Sequence, residues 1–249
     1  MIKFLKNNFF FISFLVIFGL VAGYFTSLYT IESLSPELLE ETIAQAGSME
    51  IIILVTTIQI LLYSVVLGLV GKALAEKIGL WRSLSIKIKP LISVALVSII
   101  GGALFVLGDY YFFGNFIDAV KDSYLERPTL NYIIASVTYG GVVEEVMIRL
   151  FLMSLIAFVL QKLSGKIEAT VSGIVIANIV SAILFAAGHL PATAMTMELT
   201  PVVLIRCFAL NGAFGLAFGR LYRKHGIQYA MLAHAGVHII SKLIWILFI

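Results

Sequence analysis

The chain has little of what a protein needs on a water-exposed surface. Only 12% of its 249 residues are charged, whereas a soluble domain carries about 25%. Hydrophobic residues make up 61%, the mean hydropathy is +1.05, and no polar block is long enough to fold separately in water. These absences exclude an ordinary soluble domain and predict a single membrane domain over residues 1–249.

Cysteine is almost absent as well. Cys207 is the single cysteine and lies within an apolar run. One cysteine cannot form an intrachain disulfide, and we expect Cys207 to be a small packed residue. The net charge is only +3, and the basic residues are spread over short loops and not gathered on one face. The sequence therefore predicts no nucleic-acid partner.

Long apolar runs dominate what remains. A membrane helix needs about 20 mostly apolar residues. Seven windows meet this requirement, with an eighth element around 110–119 as an alternative: 8–30, 50–72, 90–108, 131–161, 171–197, 201–219 and 227–249. The runs are too long for barrel strands, so we predict an all-α polytopic transmembrane bundle. The N-terminus resembles a signal peptide, but without a clean cleavage site we expect an uncleaved first span.

Positive charge alternates between successive loops. With the N-terminus placed inside, twelve lysines and arginines lie in inside segments and two in outside segments. The inside residues are Lys3, Lys6, Lys72, Lys77, Arg82, Lys87, Lys89, Lys162, Lys166, Arg220, Arg223 and Lys224, and the outside residues are Lys121 and Arg127. Because positive residues favour the cytoplasmic side, we predict a multi-pass plasma (cytoplasmic) membrane protein with its N-terminus inside and its C-terminus outside.

Two short features concern packing and surface. Gly19 and Gly23 in the first span, and Gly215 and Gly219 in the sixth, are small-x-x-x-small pairs that let helix backbones approach closely. The acidic segment after Pro36 is either a short amphipathic helix on the membrane surface or a solvated loop.

The fourth span carries charges that lipid gives no reason to keep. Glu144, Glu145 and Arg149 lie within six residues, and each charge at the centre of a span costs about 2.5–3.5 kcal/mol. On a helix that turns about 100° per residue, Glu145 and Arg149 can pair while Glu144 points elsewhere. We predict that Arg149 holds Glu145 and that Glu144 is free to act as a general base. The alternative is a structural ion pair that pins helices together.

Three histidines lie in other spans. His189 follows Phe185 by four residues, and His234 and His238 are also four apart, so each pair shares a helix face. His189 reaches the depth of Glu144 only if its span continues past Pro191 with a kink. A lone membrane histidine is usually a hydrogen-bonded core residue, but three histidines beside a free glutamate predict a site.

Four further polar residues lie within the predicted spans. We expect Asn178 to share the face of His189, Arg206 to reach the outer interface, Asn211 to bond between helices and Lys242 to snorkel outward.

Three motifs follow one another in the second half of the chain. They are Glu144-Glu145-x-x-x-Arg149, Phe185-x-x-x-His189 and His234-x-x-x-His238. In order and spacing they resemble the CPBP intramembrane proteases, also called the CAAX-protease and bacteriocin-processing (Abi) family. The resemblance covers roughly 132–238, so residues 131–249 would form the catalytic helical core, while 1–130 carry spans without motifs.

The resemblance implies a helical intramembrane endopeptidase. We expect it to need no cofactor, with zinc as the alternative. Glu144 and His189 would activate water against a peptide carbonyl, and His234 and His238 would stabilise the oxyanion. Many family members have asparagine at the position of His238. The supporting residues would be Glu145, Arg149 and Phe185. The partners would be membrane lipid and a membrane-tethered peptide or protein, such as a prenylated CaaX-type tail or a peptide precursor.

Other readings of the same residues stay open. In a zinc-dependent protease, His189, His234 and His238 would be the ligands and Glu144 the base, although no His-Glu-x-x-His helix is present. A non-catalytic immunity or scaffold protein of the same fold is a second alternative. A proton-coupled transporter is a third, but no inverted repeat is visible.

Overall fold

The structure, a computed structural model, describes the backbone of residues 2–249 and the side chains of residues 8–249. Met1 and the side chains of Lys3 and Lys6 lie outside this description. The described residues contain no β-strand, which confirms the predicted all-α bundle. The helices are α1 (Ile2–Ser33), α2 (Pro36–Ala46), α3 (Met49–Lys77), α4 (Ile88–Asn115), α5 (Asp118–Asp122), α6 (130–163), α7 (Val171–Gly188), α8 (Leu190–Ala194), α9 (Pro201–His225) and α10 (Ile227–Phe248).

Within the described residues, six helical stretches are long and apolar enough to cross a membrane. They are α1 from Asn8, α3, α4, α7 together with α8, α9 and α10. The remaining predicted window, 131–161, is helical throughout as α6. Helix α6 is not among the six, and it carries Glu144, Glu145 and Arg149. The alternative eighth element at 110–119 is not a span, because that segment holds the end of α4 and the start of the short α5.

Helix α6 lies at the centre of the bundle. It contacts α1, α3, α7, α9 and α10, and Val143, Val146, Leu150 and Met153 on it are fully buried. Leucine, isoleucine and valine side chains instead cover the outer faces of the surrounding helices. Glu145 and Arg149 of α6, both 0% exposed, are therefore surrounded by protein and not by lipid, as their cost in lipid requires.

The winding of α6 differs from the ordinary α-helix that is predicted from the sequence. Two π-helical stretches, Ser136–Glu144 and Val146–Met153, lie on either side of Glu145. π-helical turns are rare and occur frequently at functional sites. The π winding therefore coincides with the part of the chain that carries Glu144, Glu145 and Arg149.

Close approach of α6 and α10 depends on two neighbouring glycines. A Cβ atom built on Gly141 would lie 2.7 Å from the Cβ of Ala235, and one on Gly140 would lie 2.7 Å from Nε2 of His238. The glycine pairs predicted to pack do so, because a Cβ on Gly23 would lie 2.6 Å from the Cα of Thr57. Larger side chains at these positions would push the helices apart.

Capping hydroxyls fix the start of several helices. Ser35 accepts a hydrogen bond from the Leu38 amide at 3.3 Å, ahead of Pro36. Thr129 does the same for the Tyr132 amide at 3.1 Å, where α6 begins. Such caps satisfy amides that the first turn leaves without partners. The acidic segment after Pro36 is thus the helix α2, and not an irregular loop.

The structure corrects two predictions for polar residues in the spans. Lys242 does not snorkel outward, because it is only 3% exposed. Arg206 forms two hydrogen bonds with Asp109 of α4, at 2.7 and 2.5 Å, and its place at the outer interface stays a prediction. Asn211 donates to the carbonyl of Cys207 in its own helix at 3.1 Å, and not to another helix.

The structure also shows the contacts of Asn178 and Cys207. Asn178 donates to the Leu216 carbonyl of α9 at 3.1 Å, so it joins α7 to α9 and does not line the same cavity as His189. Cys207 is 2% exposed and donates to the Ala186 carbonyl, which agrees with a packed residue.

Candidate active site

A cavity of about 380 Å³ is lined by residues of α1, α4, α6, α7, α8, α9 and α10. We call it the Glu144 cavity. The predicted catalytic residues and one supporting residue all line it: Glu144, Phe185, His189, His234 and His238. Tyr132, Gly140 and Asn211 are further lining residues. Residues from three separate sequence motifs therefore meet in one place.

Glu144 and His189 face each other across this cavity. Oε1 of Glu144 lies 4.0 Å from Nε2 of His189, and their side chains are 16% and 34% exposed. His189 stands between α7 and α8, just before Pro191, where the sequence predicts a kink. Its Nδ1 lies 2.8 Å from the Phe185 carbonyl oxygen. Because a carbonyl only accepts, Nδ1 carries the proton, and Nε2 of the neutral ring is an acceptor.

Glu145 points away from Glu144 into a fully buried network. Its Oε2 lies 3.6 Å from Nε of Arg149, and its Oε1 lies 3.0 Å from Nδ1 of His234. The side chains of Glu145 and Arg149 are 0% exposed. One carboxylate thus links a cation of α6 to a histidine of α10, and the divergence expected for the glutamate pair is present.

Aromatic rings enclose the Arg149 guanidinium. Its central carbon lies 4.6 Å from the ring centroid of Phe185 and 5.8 Å from that of Phe218. None of its three nitrogens donates a hydrogen bond within the described part of the chain. Guanidinium groups stack well on aromatic faces, so ring contacts and Glu145 together hold this buried charge.

The same two phenylalanines orient the histidines. Phe185 packs edge-on against His189, with ring centroids 4.7 Å apart. Phe218 stacks on His234 at 4.4 Å, and His234 in turn stacks on His238 at 5.0 Å. Phe218 is not predicted from the sequence, because a phenylalanine in an apolar run carries no signal of its own. Gly140 is not predicted either, although two adjacent glycines inside a span are a signal of close approach.

The three histidines do not fit the zinc site of the alternative mechanism. The ring of His234 is stacked on that of His238, with centroids 5.0 Å apart. Among the residues that the structure describes, no three His, Cys, Asp or Glu side chains are grouped so that they could hold one metal ion. A tetrahedral zinc site requires such a convergent set.

A carboxylate and a histidine acceptor beside a cavity, supported by a buried ionic network, can activate water for hydrolysis. Residues 126–240 match the family of Rce1-like type II CAAX prenyl endopeptidases. No curated protein and no solved structure matches the chain. The family match confirms the resemblance to the CPBP proteases. It supports a peptidase in an integral membrane protein.

The Rce1-like segment includes α6, α7, α8 and α9 and most of α10. It therefore contains all three motifs of the Glu144 cavity. Helices α1 to α5 precede it, yet Tyr29 of α1 and Phe105 of α4 also line the cavity. The cavity is thus completed by helices outside the matched segment.

Proposed function

We propose that this protein is an intramembrane endopeptidase in which Glu144, together with His189, activates the water that attacks a peptide bond. The observation that carries the proposal is the 4.0 Å separation of Glu144 Oε1 and His189 Nε2 in a cavity that their side chains reach. Glu145, by contrast, is 0% exposed and cannot contact a substrate.

The two groups suit a water molecule held between them. Both are hydrogen-bond acceptors when the glutamate is ionised and the ring is neutral. A water at about 2.8 Å from each atom would donate one hydrogen to the carboxylate and one to Nε2. Both of its hydrogens would then be engaged, which leaves an oxygen lone pair free to attack a carbonyl carbon.

The proposed reaction proceeds in two steps. The water oxygen bonds to the peptide carbonyl carbon while Glu144 takes a proton, which gives a tetrahedral oxyanion. The carbon–nitrogen bond then breaks as the proton passes from Glu144 to the leaving amine, and the new carboxylic acid gives its remaining proton to the released amine or to water. Glu144 is regenerated without a covalent intermediate.

His234 and His238 are the proposed oxyanion donors. Nδ1 of His234 is directed to Glu145, so its Nε2 can donate only if the ring is doubly protonated. His238 can donate from a neutral ring. Among the described residues, its ring nitrogens form no hydrogen bond, and the hydrogen bond that His238 does form is at its backbone carbonyl. Arg149, Phe185 and Phe218 act as positioning residues that hold Glu145 and His234.

The substrate that we propose is a membrane-tethered peptide. The Rce1-like match supports a prenylated CAAX-type tail. The apolar outer faces of the helices around the cavity support a position within the membrane, where a lipid anchor would hold the scissile bond. No metal or other cofactor takes part in this scheme.

Cleavage of a prenylated peptide by the full-length chain in liposomes tests the proposal. We expect Glu144→Gln to lower kcat by at least about a hundredfold, the scale of a lost general base, with unfolding unchanged. Asn178→Ala, which removes a polar group outside the cavity, is the matched control. Full activity of Glu144→Gln would overturn the proposal.

The same assay separates the metal-free mechanism from the zinc alternative. We expect kcat to be unchanged after prolonged treatment with a zinc chelator and removal of the chelator. Activity that disappears with the chelator and returns with added zinc would instead establish the metal-dependent version.

A further inference from the structure

Lys242 is a buried cation for which the proposed mechanism has no use. Its side chain is 3% exposed, although it lies in a transmembrane helix. Among the described residues, no carboxylate lies within 4.0 Å of its Nζ. The contact that it makes is with an aromatic ring, because Nζ lies 4.1 Å from the centroid of Tyr132. A buried ammonium without a counter-ion is costly and usually functional.

The contact with Tyr132 brings Lys242 beside the Glu144 cavity, which Lys242 itself does not line. Tyr132 lines this cavity and also a second, more polar cavity of about 310 Å³ toward Arg206 and Trp245. The ammonium therefore packs against the wall that the two cavities share. Binding of a ligand at Nζ requires a change of rotamer, which the flexible four-carbon stem of lysine allows.

Neighbouring cations differ from Lys242 in having partners. Arg206 lines the second cavity but is held by two hydrogen bonds from its guanidinium to Asp109. Lys121 lies over the ring of Tyr110 and also donates to the Tyr110 carbonyl at 3.3 Å. Among the described residues, Lys242 has neither a carboxylate partner nor a hydrogen-bond acceptor, and its ammonium contacts only the ring of Tyr132.

The position of Lys242 along α10 matches the length of a short peptide tail. It follows His238 by four residues and His234 by eight, which is about 6 and 12 Å along a helix. In a CaaX tail the prenylated cysteine is the fourth residue from the carboxyl end. A cut inside the motif leaves at most three residues beyond the scissile bond, which extend to about 10 Å.

We propose that the ammonium of Lys242 binds the terminal carboxylate of the substrate peptide and so sets the distance between the chain end and the cleaved bond. The inference rests on the proposed function, because it needs a peptide in the Glu144 cavity. Lys242 lies beyond Ile240, where the Rce1-like match ends. With this contact, the protein would recognise the C-terminal carboxylate of the peptide as well as its lipid anchor.

Two peptides that differ only at the chain end test this proposal. One prenylated peptide ends in a free carboxylate and the other in an amide, and both are offered to the full-length chain in liposomes. We expect kcat/KM to be at least about tenfold higher for the carboxylate, the scale of a hydrogen bond to a charged group. Lys242→Met should remove this preference by slowing the carboxylate peptide alone, while Lys121→Met should keep it.

Binding separates this proposal from the proposed chemistry. The Kd of both peptides is measured for Glu144→Gln and for the double variant Glu144→Gln, Lys242→Met. We expect Glu144→Gln to prefer the carboxylate peptide and the double variant to bind both equally, whether or not the wild type proves to be a peptidase.

Three results would overturn the role of Lys242. One is equal binding of both peptides by Glu144→Gln. Another is an equal effect of Lys242→Met on both peptides, which would indicate a purely structural lysine. The third is a preference that appears only when phosphatidylglycerol is added to phosphatidylcholine vesicles, because the ammonium would then serve a lipid headgroup.

Discussion

At the scale of single residues, the central feature is the division of the glutamate pair. Glu144 is 16% exposed and faces His189, whereas Glu145 is 0% exposed and lies between Arg149 and His234. The sequence predicts the contact with Arg149, because it depends only on helical spacing. It cannot predict the contact of Glu145 with His234, which lies 89 residues away and depends on how α10 packs on α6.

The two glutamates should therefore differ in what they contribute to stability. Glu145→Gln leaves the buried Arg149 without its counter-ion, and breaking a buried ion pair costs about 3–5 kcal/mol. Glu144→Gln removes a partly exposed group and should change the free energy of unfolding by far less. Unfolding of both variants in detergent checks this expectation. Equal destabilisation by the two substitutions would contradict it.

At the scale of elements, the sequence predicts positions better than winding. The last apolar window, 227–249, coincides with α10 within one residue, because long apolar runs mark membrane helices directly. The π winding of α6 around Glu145 is not predicted, since the apolar run that marks a membrane helix does not distinguish π from α winding. The break between α7 and α8 at His189 lies where Pro191 predicts a kink.

The close contact between α6 and α10 at Gly141 can be tested by substitution. A Cβ on Gly141 would lie 2.7 Å from the Cβ of Ala235, whereas a Cβ on Gly212 in α9 would have nothing within 4 Å. We expect Gly141→Ala to destabilise the protein by about 1–3 kcal/mol through overpacking and to lower kcat by moving the histidines of α10. Gly212→Ala should be neutral or slightly stabilising.

Activity and unfolding measurements on Gly141→Ala and Gly212→Ala check whether the contact at Gly141 sets the spacing of α6 and α10. Wild-type stability and activity in Gly141→Ala would show that α6 and α10 can separate without harm. The positions of His234 and His238 would then depend on something other than this contact.

At the scale of the whole molecule, the Glu144 cavity lies toward the side that holds the C-terminus. Its lining includes Tyr29 near the end of α1, Tyr132 near the start of α6 and Ala192 beyond α7. If α6 crosses the membrane and the positive residues lie inside, this side is the outer one. A substrate would then enter the cavity from the outer half of the membrane.

Thiol labelling in intact cells tests this arrangement. Cys207 is buried, so the background reaction should be small. We expect a cysteine at Glu40 in α2 to react with a membrane-impermeant reagent, and a cysteine at Glu168, between α6 and α7, to react only after permeabilisation. Labelling of both positions from outside would mean that α6 does not cross the membrane.

The account as a whole depends on Glu144 and His189 acting as one unit on one water. A double-mutant cycle on kcat, with Glu144→Gln, His189→Ala and both together, measures that coupling most directly. Because groups that act as a unit show strongly non-additive effects, we predict that each single variant loses most of the activity and that the double variant is no slower than the worse of the two. Independent losses that multiply in the double variant, or a single variant with near wild-type kcat, would contradict the account.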